Sequence, residues 1–139
     1  MNKTKRSIQW VKENKKSTVR MQQKYSGIHL IADFWNGKII EDQKTIKRIL
    51  IESVRKAKNT PLKISLYKFR PQGLTGIVLL AESHVAIHTW PEFNYVALDI
   101  YTCGDKASPF KCLEYLKKMF QPKKIEIKKI KRGYFSSNW

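Results

Sequence analysis

Residues 82 to 104 gather most of the side chains able to do chemistry: Ser83, His84, His88, Glu92, Asp99 and Cys103, with Glu82 directly before the serine. A serine hydroxyl can act as a nucleophile, an imidazole as a base near neutral pH, and a thiol as a proton donor. The residues between them are β-branched and aromatic and alternate with period two, which predicts strands rather than a helix. Pro91-Glu92-Phe93-Asn94 breaks the alternation and reads as the connection of a hairpin. Ser83 and His88 therefore fall on one strand, and Cys103 on the far end of its neighbour.

Three chemistries compete for this set. A metal site needs converging donors, but on a strand advancing about 3.3 Å per residue His84 and His88 stand roughly 13 Å apart. No thiol or second carboxylate lies at ligand spacing, so no metal is expected. Serine hydrolysis would need Ser83 on a sharp strand-to-helix turn in a Gly-x-Ser-x-Gly-like setting. Glu82 and His84 flank it instead, and a strand follows. The third chemistry is self-processing. A serine hydroxyl attacks the carbonyl of the residue before it, turning the amide into an ester. β-Elimination then leaves dehydroalanine, which hydrolyses to a pyruvoyl group. This needs a serine at a strained break between strands, a nearby base and donors for the oxyanion. Glu82-Ser83 offers that setting.

The run Ala81-Glu82-Ser83-His84-Val85-Ala86-Ile87-His88-Thr89-Trp90-Pro91-Glu92, with Asp99-Ile100-Tyr101-Thr102-Cys103-Gly104-Asp105, closely resembles the bacterial and archaeal pyruvoyl-dependent S-adenosylmethionine decarboxylase proenzymes. Phe69-Arg70-Pro71-Gln72-Gly73-Leu74-Thr75-Gly76 and Gly27-Ile28-His29-Leu30 add to the resemblance, which extends over residues 26 to 133. It implies cleavage between Glu82 and Ser83, giving a β chain of 1–82 and an α chain of 83–139. Ser83 would be the pyruvoyl precursor and Schiff-base site, and His88 the base that removes the α proton during elimination. Cys103 would return a proton to the substrate α carbon after CO2 leaves. Thr75 stands where the family usually carries serine and keeps the hydroxyl that assists processing. Phe69 matches the family's adenine-stacking aromatic and Glu92 its ribose-binding carboxylate, with Trp90 nearby. The protein-derived ketone does the work of pyridoxal phosphate, so no external cofactor is implied. The implied reaction is decarboxylation of S-adenosylmethionine for polyamine (spermidine) biosynthesis, by a cytoplasmic homodimer with sites near the subunit boundary.

Plainer roles stand beside these. Ser83 alone would more often be a turn serine, and a lone Cys103 a small buried residue. His84 reads as satisfying a hydrogen bond, Asp99 as a strand-pair charge, Cys112 as helix packing, and Trp90 and Tyr101 as strand packing. Arg70 stands where the family mostly has a small or apolar residue, and Phe34-Trp35-Asn36-Gly37 where a Gly-Cys pair is common. Both lie where a substrate side chain would be read, so arginine or ornithine remains an alternative substrate. Such a pocket would offer an extra carboxylate to the distal cation. A rival of another class is an uncut basic domain that binds nucleic acid.

Positioning these residues falls to one domain, since 139 residues leave no room for a second. An ordinary apolar and aromatic content excludes wholesale disorder. The longest apolar run, Ile77 to Ala81, is too short to span a membrane, and no apolar stretch follows the basic N-terminus as in a secretory signal. Two cysteines make neither a disulfide framework nor a zinc pattern, which fits a reducing cytosol. The net charge of +17 is concentrated at the ends: residues 1–24 and 117–139 each hold eight Lys/Arg against one Glu. Such ends can grip phosphates, but a solvated tail is the commoner outcome and nucleic acid is not expected as a partner. Residues 1–24 read as a basic arm, 25–133 as the domain and 134–139 as a short tail.

Within the domain, residues 27–34 alternate as a first strand, and Ile46, Ile49, Leu50, Val54 and Ala57 mark an amphipathic helix stopped by Asn59-Thr60-Pro61. Residues 62–69 predict a strand, 70–76 a loop, and 77–82 a buried strand. Ser108-Pro109 opens a second helix with Phe110, Leu113, Leu116 and Phe120 on one face, and Ile125 and Ile127 suggest a last strand. The fold expected is a two-layer α/β sandwich: a mostly antiparallel sheet with two main helices on one face.

Overall fold

Alternating burial of Leu30, Ala32 and Phe34 produces β1, Tyr25–Trp35. The computed structural model describes residues 25–103 and 108–134, so the basic arm at 1–24 lies outside the described residues. Helix α1, Gln43–Lys56, begins where Asp42 accepts hydrogen bonds from the Thr45 N–H at 2.9 Å and the Thr45 hydroxyl at 2.6 Å. Those two bonds hold the Asp42 carboxyl below the usual carboxylate range. Strands β2 (Pro61–Lys68), β3 (Leu74–Leu80), β4 (Ser83–Trp90) and β5 (Tyr95–Cys103) follow as a meander. Helix α2, Pro109–Phe120, has proline in its first turn and ends on Gln121 in the left-handed conformation. Strand β6, Lys124–Tyr134, closes the order β2-β3-β4-β5-β1-β6, and every neighbouring pair is antiparallel.

Both helices cover one face of the sheet, giving the two-layer sandwich expected. Ile46, Ile49, Leu50 and Val54 of α1 and Cys112, Leu113, Leu116 and Phe120 of α2 meet Leu30, Phe34, Val78, Val85, Ile87, Leu98 and Ile100 in one core. Each such aliphatic or aromatic side chain contributes about 1.5–3 kcal/mol by leaving water. Gly76 leaves room for the neighbouring Leu66 and Ile87 side chains, which a larger residue would have to displace. A Cβ there would lie 2.5 Å from Leu66 Cδ2, 3.1 Å from Ile87 Cγ2 and 3.4 Å from Leu50 Cδ1.

Two expectations change. Residues 70–76 are not all loop: β3 starts at Leu74, so Thr75 is a strand residue opposite His88. The strand expected to be buried on both sides is buried on one. Val78 and Leu80 face the helices, while Ile77 and Leu79 are 45% and 51% exposed on the opposite face. An apolar run cannot report that helices cover only one side of its sheet. Among the described residues no helix is long and apolar enough to cross a membrane.

Candidate active site

Only Ala81 and Glu82 join β3 to β4, with Leu80 paired to Ser83. Two-residue hairpin loops favour positive φ at their central residues, which suits Gly and Asn but not Ala and Glu. The strain appears one residue later: Ser83 has φ of 149°, a conformation that side-chain-bearing residues rarely adopt. The flanking groups are tied down. The Glu82 carboxylate accepts the Thr60 N–H at 2.5 Å, and Ala81 N–H donates to the Thr60 carbonyl at 3.0 Å.

Strand β5 ends against this turn. The Glu82 carbonyl oxygen accepts the backbone N–H of Cys103 at 3.0 Å and its thiol at 2.6 Å. On the other side of β5, Gly27 lets β1 pack closely against the end of that strand, because a Cβ there would sit 2.3 Å from the Thr102 carbonyl oxygen. The carbonyl that Ser83 would attack therefore lies between two donors, the arrangement that stabilises a developing oxyanion. Glu82, Ser83 and Cys103 are brought together.

His88 and Thr75 form a second group. They face each other across β3 and β4, with the Thr75 hydroxyl 3.0 Å from His88 Nδ1. His88 lies five residues along β4 from Ser83, roughly 17 Å on an extended strand. Toward this end of the sheet are Trp90, the exposed Phe69 just past β2, and Glu92 in the 3-10 turn Pro91–Phe93. Gln72 Nε2 donates to Glu92 at 3.1 Å, joining the two connections, and the Phe69 ring meets Tyr67 edge-on at 4.8 Å. A shallow surface depression lined by Lys38–Ile40, Thr89, Pro91, Asn94–Val96 and Phe120 includes none of these side chains.

Sequence reasoning missed a third group on the outer face of β1, β4 and β5. His84 Nδ1 lies 3.3 Å from the Ser83 hydroxyl, and His84 Nε2 lies 3.6 Å from Asp99 Oδ1. Asp99 Oδ1 also accepts a short hydrogen bond from His29 Nε2, and Arg132 Nη1 approaches His29 Nδ1 at 3.5 Å. The three donor atoms of His29, His84 and Asp99 lie within 4.8 Å of one another. The His84–His88 pairing considered for a metal is thus not the one the fold makes. The His29–Asp99 bond commits two donors of this trio to each other. At the His88 end, Trp90 stacks on Tyr95 at 5.2 Å and Tyr95 on Trp35 at 4.2 Å, a ladder across three strands. Cys112 packs in the core as expected, its thiol pushed up to about 11 by burial.

The fold is a two-layer α/β sandwich that holds a serine in a rarely adopted conformation at a break between two strands. The family model described as S-adenosylmethionine decarboxylase matches residues 28–133. An S-adenosylmethionine decarboxylase proenzyme of Methanococcus maripaludis is 38% identical over 112 residues, 79% of this chain and 92% of the relative. One from Clostridium kluyveri is 38% identical over 111 residues, 78% of this chain and 88% of the relative. The crystal structure of the adenosylmethionine decarboxylase from Aquifex aeolicus superposes with a TM-score of 0.77 at 35% identity, covering 84% of this chain and 98% of that one. The chain belongs to the S-adenosylmethionine decarboxylase family.

Proposed function

We propose that the chain cuts itself between Glu82 and Ser83 and then decarboxylates S-adenosylmethionine, serving polyamine (spermidine) synthesis in the cytoplasm. The observation that carries this reading is the Glu82 carbonyl held between the Cys103 N–H and thiol, directly before a serine with φ of 149°. Attack by the Ser83 hydroxyl converts the amide to an ester while both Cys103 donors hold the oxyanion. His88, oriented through Nδ1 by Thr75, removes the α proton during elimination. The pyruvoyl group left at residue 83 supplies the electron sink for loss of CO2. After processing, the half-exposed Cys103 thiol stays beside residue 83 and donates the proton that replaces CO2 on the substrate. Phe69 offers an aromatic face to a purine and Glu92 a carboxylate to a ribose diol, which favours S-adenosylmethionine over arginine or ornithine.

Within one chain the Ser83–Cys103 end and the His88–Thr75–Phe69–Glu92 end lie at opposite ends of β4. A homodimer that stacks two outer sheet faces head to tail brings each end of one copy onto the other end of its partner. The exposed Ile77, Leu79 and Ile130 supply apolar surface on the outer face for that contact.

A denaturing gel of folded protein tests the first step: two fragments are expected, with the larger-numbered one beginning at residue 83 and tagged by borohydride or a hydrazine. A single untagged chain rejects the reading. Release of labelled CO2 from S-adenosylmethionine, arginine and ornithine side by side decides the substrate. Mixing Ser83→Ala chains with His88→Ala chains should restore cutting that neither shows alone. No restoration would reject the shared site.

A further inference from the structure

Two proton-transfer events are needed at Ser83, and the geometry separates them. We infer that His84, set by Asp99, is the base that activates the Ser83 hydroxyl for ester formation, leaving His88 for the later elimination. This rests on the reading that the chain cuts itself between Glu82 and Ser83. Among the described residues, His84 Nδ1 is the imidazole nitrogen in contact with Ser83 Oγ, at 3.3 Å. His88 is engaged elsewhere, on Thr75.

The contacts around His84 suit one consistent set of protons. An ionised Asp99 accepts only, so His29 Nε2, hydrogen-bonded to its Oδ1, carries a hydrogen, and the same carboxylate oxygen 3.6 Å from His84 Nε2 favours the hydrogen on that nitrogen as well. A neutral His84 protonated on Nε2 has its lone pair on Nδ1, aimed at the Ser83 hydroxyl. His29 likewise keeps its lone pair on Nδ1, where Arg132 Nη1 donates. The register makes this possible: Ser83 pairs with Thr102 and His84 with Tyr101 on β5, while Asp99 lies opposite Ile31 of β1. The Tyr101 ring packs beside both imidazoles, and Arg132 stacks over it at 4.6 Å. A carboxylate fixing the tautomer of an imidazole that faces a serine hydroxyl is the logic of a catalytic triad, here turned on the chain's own backbone.

The step balances. The Ser83 O–H bond breaks and its proton goes to His84 Nδ1, giving an imidazolium that faces the Asp99 carboxylate. The serine oxygen bonds to the Glu82 carbonyl carbon, and the carbonyl electron pair moves onto oxygen, where the Cys103 N–H and thiol hold it. When that pair returns, the Glu82–Ser83 C–N bond breaks and the Ser83 nitrogen takes the proton back from His84 Nδ1. An amide has become an ester, and His84 is neutral again. His84 is a catalytic residue in this step, Asp99 a positioning residue, and His29 shares Asp99 with it.

Hydroxylamine separates this step from the next, because it splits an ester at residue 82 but not an amide, leaving serine intact at the new terminus. Freshly translated full-length chains of parent, His88→Ala, His84→Ala, His84→Gln and Asp99→Asn are followed over time on denaturing gels, with and without hydroxylamine. His88→Ala should accumulate a hydroxylamine-labile bond. Both His84 variants should form that bond at least about 100-fold more slowly than the parent, the usual contribution of a positioned base. Asp99→Asn should slow it by about tenfold or more, since an amide can donate and favours the other tautomer. Added imidazole should restart ester formation in His84→Ala, a rescue that a merely structural histidine does not give. His84→Gln, which fills the same space, should melt close to the parent and still not cut. Cutting at the parent rate by either His84 variant overturns the inference. So does an uncut His84 chain that hydroxylamine splits, or a folded His84→Ala chain that imidazole does not restart. A parent that never cuts rejects the self-processing reading itself, and this inference with it.

Discussion

The backbone N–H and the thiol of Cys103 meet on a single atom, the carbonyl oxygen of Glu82, at 3.0 and 2.6 Å. In the proposed reaction, one residue at the end of β5 would thereby serve the carbonyl that is attacked and stand beside the position where the reactive group is left. The same thiol is available to two successive reactions.

These two uses respond differently to substitution. Cys103→Ala keeps the N–H and loses the thiol, so cutting should slow by about 10²-fold, the cost of one oxyanion donor, yet reach completion. Cys103→Ser keeps a donor on the Glu82 oxygen and should cut nearly as fast as the parent. Its hydroxyl is a far weaker acid than a thiol, so turnover should fall well below the parent in the processed enzyme. The check is the rate of fragment appearance set against labelled CO2 release on fully cut protein. Equal losses in both measurements for the serine variant would contradict the double role.

Thr75 and His88 make a narrower prediction. Their 3.0 Å contact orients the imidazole through Nδ1. Thr75→Ala should prolong the hydroxylamine-labile stage by up to about tenfold, the worth of one net hydrogen bond, and Thr75→Ser should not. Persistence of the ester in the serine variant as well would mean that the methyl group, not the hydroxyl, holds the ring.

Much of this arrangement is legible in the sequence. Period-two burial in 83–90 and 95–103 and the break at Pro91 to Asn94 are local features, and local chemistry decides them. Cys103 could be placed near Ser83 because one hairpin links them. Asp99 and His29 could not be tied to His84, because their meeting depends on β1 inserting beside β5, a pairing between residues 70 apart in the chain. His88 could be placed on the strand of Ser83, but a strand carries residues five apart toward different ends of the sheet.

The substrate end gives a prediction that separates binding from chemistry. Phe69 is 48% exposed, and its ring meets Tyr67 edge-on. Phe69→Ala should raise KM for S-adenosylmethionine by about tenfold or more with a smaller change in kcat, since base stacking on an aromatic contributes ~1–3 kcal/mol. Glu92→Gln should also raise KM, because a neutral amide binds a diol less well than a carboxylate. A fall in kcat at unchanged KM in both variants would move these residues out of the binding role. Cutting at residue 82 should be untouched in either one.

Tyr95 supplies a test of stability through pH. Its hydroxyl donates to Asp33 at 2.5 Å, and its ring lies between Trp35 and Trp90. Burial first, and then the bond to Asp33, push the phenol up to about 12 from its ordinary 10.0. The folded chain holds this proton more tightly than the unfolded one. The stabilisation is therefore complete below pH 10.0 and is lost as pH rises through about 12. Tyr95→Phe keeps the stacked ring and gives up the bond, so at pH 8 it should be less stable than the parent by about 1 kcal/mol. Between pH 10 and 12 the parent should lose stability faster than the variant, until the two urea-unfolding midpoints converge. Lysines and the other tyrosines titrate in the same range in both proteins, so only the difference between the curves reports on Tyr95. Midpoints that stay a constant distance apart from pH 8 to pH 12 would show that the Tyr95 proton is not held by the fold.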